Sequence, residues 1–328
     1  EEHRLSTAPV ELVHVHRSGL HEGTHYGSVV ITAADGSVEF ARGDLRTPIF
    51  PRSSNKPFQA VAMLESGADL RDADLALAAA SHSGEPMHVD RAFDMLERAR
   101  LTEDDLGCPP AFPMEETAKR AALMASGEPR RIFMNCSGKH AGMLTAAVVN
   151  GWSTDDYLDP AHPLQRRVLD VVTRLTQEEP AAVGIDGCGA PLYAVSLPAL
   201  ARGFGATCSA EPGSTERRVA DAMRAFPAMV GGTGRDDTRL MSAFPGLLVK
   251  GGAEGVHCAA FPDGRCVALK ITDGGDRARM PVLVAALRRM GLTPPTAAAA
   301  RLLDEFAAGP VLGGGQPVGA VTVAPGVF

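Results

Sequence analysis

Ser53 and Lys56 stand three residues apart in the stretch RSSNKPFQA, residues 52–60. The chain carries 32 Lys plus Arg, yet lysine occurs only at 56, 119, 139, 250 and 270. Lys119, in MEETAKRAAL, reads as a solvated helix position, while the other four sit beside Ser, Gly or apolar residues. A desolvated lysine can give up its proton, which arginine cannot. If Ser53 starts the helix that KPFQAVAML opens, residues i and i+3 share a face and the amine reaches the hydroxyl. Burial then lowers the amine pKa, so that neutral Lys56 takes the hydroxyl proton. The helix N-terminus supplies backbone N–H groups for a developing oxyanion. The alternative is a capped helix with a solvated Lys56. Pro57 disfavours helical geometry at Lys56, which predicts a distorted first turn.

Three further stretches have the residue types for chemistry. In LLVKGGAEG, Lys250 is followed by glycines that let another backbone or a ligand approach a strand closely. Ser-x-x-Lys on a helix, followed late in the chain by Lys-x-Gly on a strand, is the motif order of penicillin-recognising serine enzymes. The alternative for Lys250 is an edge-strand charge that blunts aggregation. In AAASHSGEPMHV, Ser81 or Ser83 is a candidate second hydroxyl at a pocket wall, with Ser83 or Glu85 alternatively capping the next helix. MNCSGKHAGML and VGIDGCGAPLYA each place one cysteine in a Gly-rich turn. Cys136 and Cys188, with Asp186 and His140, are candidate zinc ligands; with no CxxC pair, two buried free thiols are the alternative. Strand alternation in VHVHRSG puts His14 and His16 on one face, a weaker metal idea set against simple solvent exposure.

These groups need elements to position them. Residues 1–9 read as a loose tail. VELVHVH, GSVVITA and VEFARG read as strands, the last two joined at the turn signal ADGS. From residue 56 helical periodicity takes over: FQAVAMLESG ending at Gly67, HVDRAFDMLERAR, then 115–125, 139–149, 163–177, 191–203 and 213–226. Strands return in GLLVKGG, GVHCAAF and RCVALKI, with PDGR turning the last pair. Helices near 275–291 and 296–308 and a final strand, GAVTVA, complete the chain. This order predicts an α/β (α+β) protein: an antiparallel sheet assembled from both chain ends, packed against a mainly helical block. No linker interrupts it, so residues 1–328 are expected to form one catalytic domain with its helical part at 56–226.

A net charge of −7 makes nucleic acid an unnatural partner. No apolar run approaches the ~20 residues of a membrane span. The N-terminal stretch has no basic region followed by an apolar one, so a secretory signal is not expected. Six scattered cysteines in a chain of this size fit reduced thiols or a metal site, and a cytoplasmic protein, better than a disulfide framework.

Taken together, RSSNKPFQA, ASHSGEPMHV, FMNCSGKHAGML, GIDGCGAP, GTGRDDTRLM and VKGGAEGV resemble the rhizobial-type (class 3) thermolabile L-asparaginases II, in family order across nearly the whole chain. The resemblance implies a serine β-lactamase-like fold related to the glutaminases of that superfamily. It implies hydrolysis of L-asparagine to L-aspartate and ammonia by a homodimer. Ser53 and Lys56 match the family's first Ser–Lys pair, and Ser81 the serine of its second. Lys250 or Lys270 matches the lysine of that second pair, with Lys250 preferred for its interval after GTGRDDTRLM. The family's zinc site is matched by Cys136, Lys139 and Cys188, with Asp186 close by; the zinc is expected to orient substrate. Where the family pattern can hold a further cysteine, GRDDTRLM has aspartates. On this reading Ser53 attacks the side-chain amide, Lys56 takes its proton, and Ser81 with Lys250 protonates the leaving ammonia. Arg46, Arg52, Asp186 and Glu254 are the charge types to hold the α-carboxylate and α-ammonium of asparagine. The rivals are a glutaminase or another serine hydrolase of the same fold, and a non-enzymatic zinc-binding protein.

Overall fold

The structure is a computed structural model, and it describes residues 8–328. Most of the expected tail at 1–9 therefore lies outside the described residues. The chain opens with β1 (Val10–Arg17), β2 (Leu20–Thr32) and β3 (Val38–Arg42). Ser18 and Gly19 join the first two with φ of 50° and 82°, the left-handed backbone a two-residue hairpin demands. A 3-10 turn, Arg52–Asn55, then leads into α1 (Lys56–Glu65), α2 (Asp72–Ala78), α3 (Pro86–Arg98), α4 (Glu116–Ala125), α5 (Ser137–Val149) and α6 (Pro163–Thr176). A small hairpin follows, β4 (Ala182–Ile185) with β5 (Pro191–Ala194). Next come α7 (Leu197–Ser209), α8 (Thr215–Ala225), α9 (Pro227–Val230) and α10 (Asp236–Ala243). The chain closes with β6 (Leu248–Gly251), β7 (Val256–Ala260), β8 (Cys266–Ile271), α11 (Arg279–Arg289), α12 (Ala297–Ala307), β9 (Ala308–Gly313) and β10 (Gln316–Val323).

The main sheet has eight strands in the order β6-β7-β8-β2-β1-β10-β9, with β3 also paired to β2, and every pairing is antiparallel. The expected sheet from both chain ends is what forms: Val13 lies opposite Val323 and Val29 opposite Leu269. Helix α7 packs on β2, β7 and β8, and α11 packs on β7, β8 and β10. The helical block builds outward from α1, which touches α5, α6 and α8.

Two helices explain how charged groups come to be buried. In α1 every residue from Lys56 to Leu64 is buried, and in α5 every residue from Ser137 to Leu144. A helix that is apolar nearly all round must sit inside the molecule, and it takes any polar residue on it inside as well. Lys56 and Lys139 are each 1% exposed for that reason.

One expected helix begins later than predicted, and α2, β4, α9, α10 and β9 form without having been expected. The predicted helix over 191–203 starts only at Leu197, because residues 191–194 form β5. Ser196 Oγ accepts the Ala199 N–H at 3.3 Å and Pro198 occupies the first turn, two start signals that fix the helix end.

Candidate active site

The 3-10 turn that carries Ser53 docks on β6. Ser54 Oγ donates to the Lys250 carbonyl at 3.0 Å. Gly252 makes this approach possible, since a Cβ there would lie 2.7 Å from the Pro51 carbonyl oxygen. Lys56 itself has helical φ and ψ of −58° and −33° despite Pro57, and the predicted distortion falls on the turn before it. Arg52, just ahead of Ser53, has φ of 50° and is held by an Nε bond of 2.8 Å to Asp186 Oδ1.

Ser81 lies in the segment between α2 and α3, pinned by Ser81 N to the Val230 carbonyl and His82 N to the Asn135 carbonyl, each at 3.0 Å. Two lysines meet on its hydroxyl: Lys56 Nζ donates at 2.9 Å and Lys250 Nζ at 3.1 Å. Lys56 Nζ also bonds the Ala80 carbonyl, and Cys136 Sγ at 3.0 Å. The expected Ser53–Lys56 hydrogen bond is absent among the described residues. Three acceptors on the buried side of α1 draw the amine inward, while Ser53 stays half-buried on the turn. Lys270 donates to the Glu254 and Ile271 carbonyls, both at 2.6 Å, so Lys250 is the lysine that reaches Ser81. Ser83 donates to Glu85 at 2.6 Å, and Glu85 caps α3 in a reciprocal pair with His88.

Beneath Lys250, Asp237 Oδ2 is 3.8 Å from its Nζ and accepts the Gly251 N–H at 2.9 Å, while Oδ1 meets His257 Nε2 at 2.8 Å. Burial drives the Lys250 amine down to about 7; Asp237 pulls the other way, and Lys56 pushes with burial. Burial opposes ionisation of Asp237, but His257, Lys250 and the Gly251 N–H together outweigh it and hold the carboxyl far below its usual range.

Ser53, Ser81, Asp237 and Lys250 open onto one cavity of about 160 Å³. Met114, Asn135, Arg235, Asp236, Asp276 and Arg279 also line it. Of the residues expected to hold the ends of a free amino acid, none lines this cavity: Arg46 is exposed, and Arg52 is paired with Asp186 at 2.8 Å and with Glu254 at 3.8 Å. Arg235, Asp236, Asp276 and Arg279 supply both charge signs instead. The sequence signal for the first two was the RDD run of GTGRDDTRLM; nothing local marks Asp276 or Arg279 as facing the same space.

Cys136 joins this centre to a second one. Lys139 Nζ donates to Cys188 Sγ at 3.0 Å, deep in the protein. The Cys136 thiol donates to Asn135 Oδ1 at 3.1 Å. Its nearness to Cys188 pulls the Cys188 pKa down and pushes its own up, and Lys139 and His140 add to the pull on Cys188. His140 Nε2 is buried without a hydrogen-bond partner, and Nδ1 meets Tyr157 Oη at 2.6 Å. A buried amine whose only acceptor is sulfur, beside two buried thiols, is a donor set that suits zinc. Asp186 stands at the edge of this group: its Oδ1 is engaged by Arg52, and its Oδ2 accepts a long bond of 4.0 Å from the Cys188 thiol. All six cysteines are free and buried.

No helix among the described residues is long and apolar enough to cross a membrane. No curated protein sequence matches the chain. Among solved structures, Mglu in its native form is 14% identical with a TM-score of 0.47, over 83% of this chain and 65% of that one. The chain thus spans just under two thirds of the length of that structure. A β-lactamase from Mycobacterium bovis is 14% identical with a TM-score of 0.46, over 81% of this chain and 95% of that one. A simvastatin synthase from Aspergillus terreus is 13% identical with a TM-score of 0.36, over 85% and 91%. The L-asparaginase II family profile matches residues 13–323, a span that takes in every side chain of the Ser–Lys centre and both thiols. The chain belongs to the L-asparaginase II family.

Proposed function

We propose that the chain hydrolyses L-asparagine to L-aspartate and ammonia by serine–lysine catalysis. The observation that carries this reading is the Ser81 hydroxyl held between two buried amines, one of them driven down to about 7, at the wall of a small charged cavity. A volume of about 160 Å³ is well under the ~300–1,000 Å³ of pockets for drug-sized ligands, which favours an amino acid over a β-lactam. Arg235 or Arg279 holds the substrate carboxylate, and Asp236 or Asp276 its ammonium.

Ser53 attacks the side-chain amide carbon. With Lys250 neutral, Ser81 passes its proton to Lys250 as Lys56 passes one to Ser81. Lys56 is then neutral and takes the proton of Ser53, a transfer that requires the Ser53 hydroxyl to turn toward the amine as substrate binds. The relay runs backward as the tetrahedral intermediate collapses, and the leaving nitrogen departs as ammonia. Water then cleaves the β-aspartyl ester by the same route. A hydroxyl has two acceptor sites and one proton, and bonds to two lysines suit Ser81 for moving protons. Ser53 has no hydrogen-bond commitment and keeps its lone pairs for attack. Cys136, Lys139 and Cys188 would hold a zinc ion, which would supply a fixed positive charge to orient substrate.

The test is ammonia release from L-asparagine and L-glutamine, with turnover of a chromogenic β-lactam in parallel. Asparagine is expected to be the best substrate, and a quenched reaction to carry the aspartyl mass on the peptide containing Ser53. Glutamine or the β-lactam turning over faster would replace the substrate assignment. An adduct on Ser81 would exchange the roles of the two serines. No release from any amide would overturn the reading.

A further inference from the structure

The β1–β2 hairpin carries a histidine cluster that the amide chemistry does not use. His14 and His16 project from one face of β1, and His21 comes from β2. One ring nitrogen from each lies within 4.8 Å of the other two; among the described residues no other group of three His, Cys, Asp or Glu side chains is as tight. The rings meet edge to face with centroids 4.7, 5.2 and 6.0 Å apart.

The backbone is built to make this meeting. His14 pairs with Thr24 and Val15 with Gly23, so regular register would set Glu22 opposite His16. A bulge shifts the pairing and places His21 there. Re-aiming one side chain is what a bulge accomplishes. On the other side of β1 the partners are Thr322 and Ala320, small residues that leave room above the rings. Two rings also have oxygen partners: Glu11 Oε2 meets His14 Nε2 at 3.0 Å, and Thr24 Oγ1 meets His21 Nε2 at 2.9 Å. Tyr26 in turn donates to Glu11 Oε1 at 3.1 Å. A carboxylate behind one ring and a hydroxyl behind another is the outer-shell support that metal-bound histidines use.

We infer that His14, His16 and His21 form a site for a divalent transition-metal ion of the zinc class, separate from the thiol centre. Zinc binds imidazole at ~2.0–2.1 Å, which in a tetrahedron separates the nitrogens by about 3.4 Å. The three rings reach that spacing by closing at most about 1.4 Å from the 4.8 Å bound. The site has three protein ligands and a fourth position open to solvent, and the ion clips β1 to β2.

The experiment uses the full chain equilibrated with zinc(II), with zinc counted by elemental analysis and binding followed by calorimetry. His16→Gln is expected to lose one zinc per chain and to weaken binding at the site by more than the ~10–100-fold that removing an outer-shell partner costs. A zinc-dependent rise in melting temperature is expected to shrink with it. Cobalt(II) separates the two centres, because thiolate-to-cobalt absorption reports Cys136 and Cys188 alone and should survive the substitution. Copper(II) bound to the unaltered chain should show coupling to three ring nitrogens, a readout that needs no variant. Equal zinc content and affinity in His16→Gln and unaltered chains, or copper coupled to fewer than three nitrogens, would overturn the inference and leave an edge-to-face packed histidine patch.

Discussion

Asp237→Asn tests the electrostatics of the site through one charge. The carboxylate oxygen is 3.8 Å from Lys250 Nζ, and at an effective dielectric near 20 such a pair is worth about 4 kcal/mol. At ~1.36 kcal/mol per pH unit, losing it can lower the Lys250 pKa by up to about 3 units. The remaining polar groups recover part of this, so a displacement of roughly 1–3 units is expected. The sign is fixed: a negative neighbour favours the ammonium, and its removal favours the neutral amine. The proposed relay needs neutral Lys250, so kcat/KM of the unaltered enzyme should rise through an apparent pKa near the value of about 7 to which burial brings this lysine. In Asp237→Asn that limb should move to lower pH, because asparagine keeps an acceptor for His257 or Gly251 but carries no charge. The assay is initial-rate ammonia release across pH 4–9, with far-ultraviolet dichroism confirming the fold at each pH. A limb that stays in place, or moves to higher pH, would show that Lys250 is not the group whose deprotonation starts the reaction.

Three other outcomes follow from the same geometry. Ser53→Ala should cut turnover by about 10⁴-fold or more, as removal of a nucleophile does, whereas Ser81→Ala should cost about 10²–10⁴-fold, the range of a proton carrier; equal plateau rates in both would refute the division of roles. Lys250 has a folded pKa below its unfolded one, so the unfolded chain binds more protons between about 7 and the ordinary ~10.4. Stability from this group therefore rises with pH across that window, by up to ~1.4 kcal/mol per unit relative to Lys250→Met. Urea titrations in which that difference stays flat or falls would contradict the burial argument. Cys188→Ser should lower zinc content and melting temperature together, and it should raise KM if the ion helps to hold substrate. A variant with unchanged zinc content would remove the thiol centre from the proposal.

The sheet was legible from sequence because VELVHVH alternates and GSVVITA is a β-branched run bounded by turn residues, which the fold buries on both faces. Most helices were legible from their spacing, and the Ser-x-x-Lys and Lys-Gly-Gly stretches could be assigned to one site from their order. Less visible was where Lys56 would point. Spacing puts residues 53 and 56 on one face, but complete burial of α1 and the convergence of Ala80, Ser81 and Cys136 decide the matter, and those partners come from other segments. The substrate-facing charges were obscured for the same reason: Arg279 follows a 3-10 turn at the start of α11, and only the packing of that helix on β7 and β8 brings it to the cavity. Local cues missed β9, whose Pro and two Gly read as loop, and which forms because β10 provides a partner strand.

The interleaving of the two chain ends in one sheet also governs how this protein comes into being. β1 is flanked on one side by β2 and on the other by β10, whose paired residues lie about 310 positions further along. On the ribosome the first hairpin must wait, both flanks open, through synthesis of the whole helical block before its neighbours emerge. Contacts of such sequence separation make folding slow, and unpaired strand borders invite association with other chains. The last strand therefore acts as the latch of the molecule, and a nascent chain released before it has emerged would be the form most exposed to aggregation.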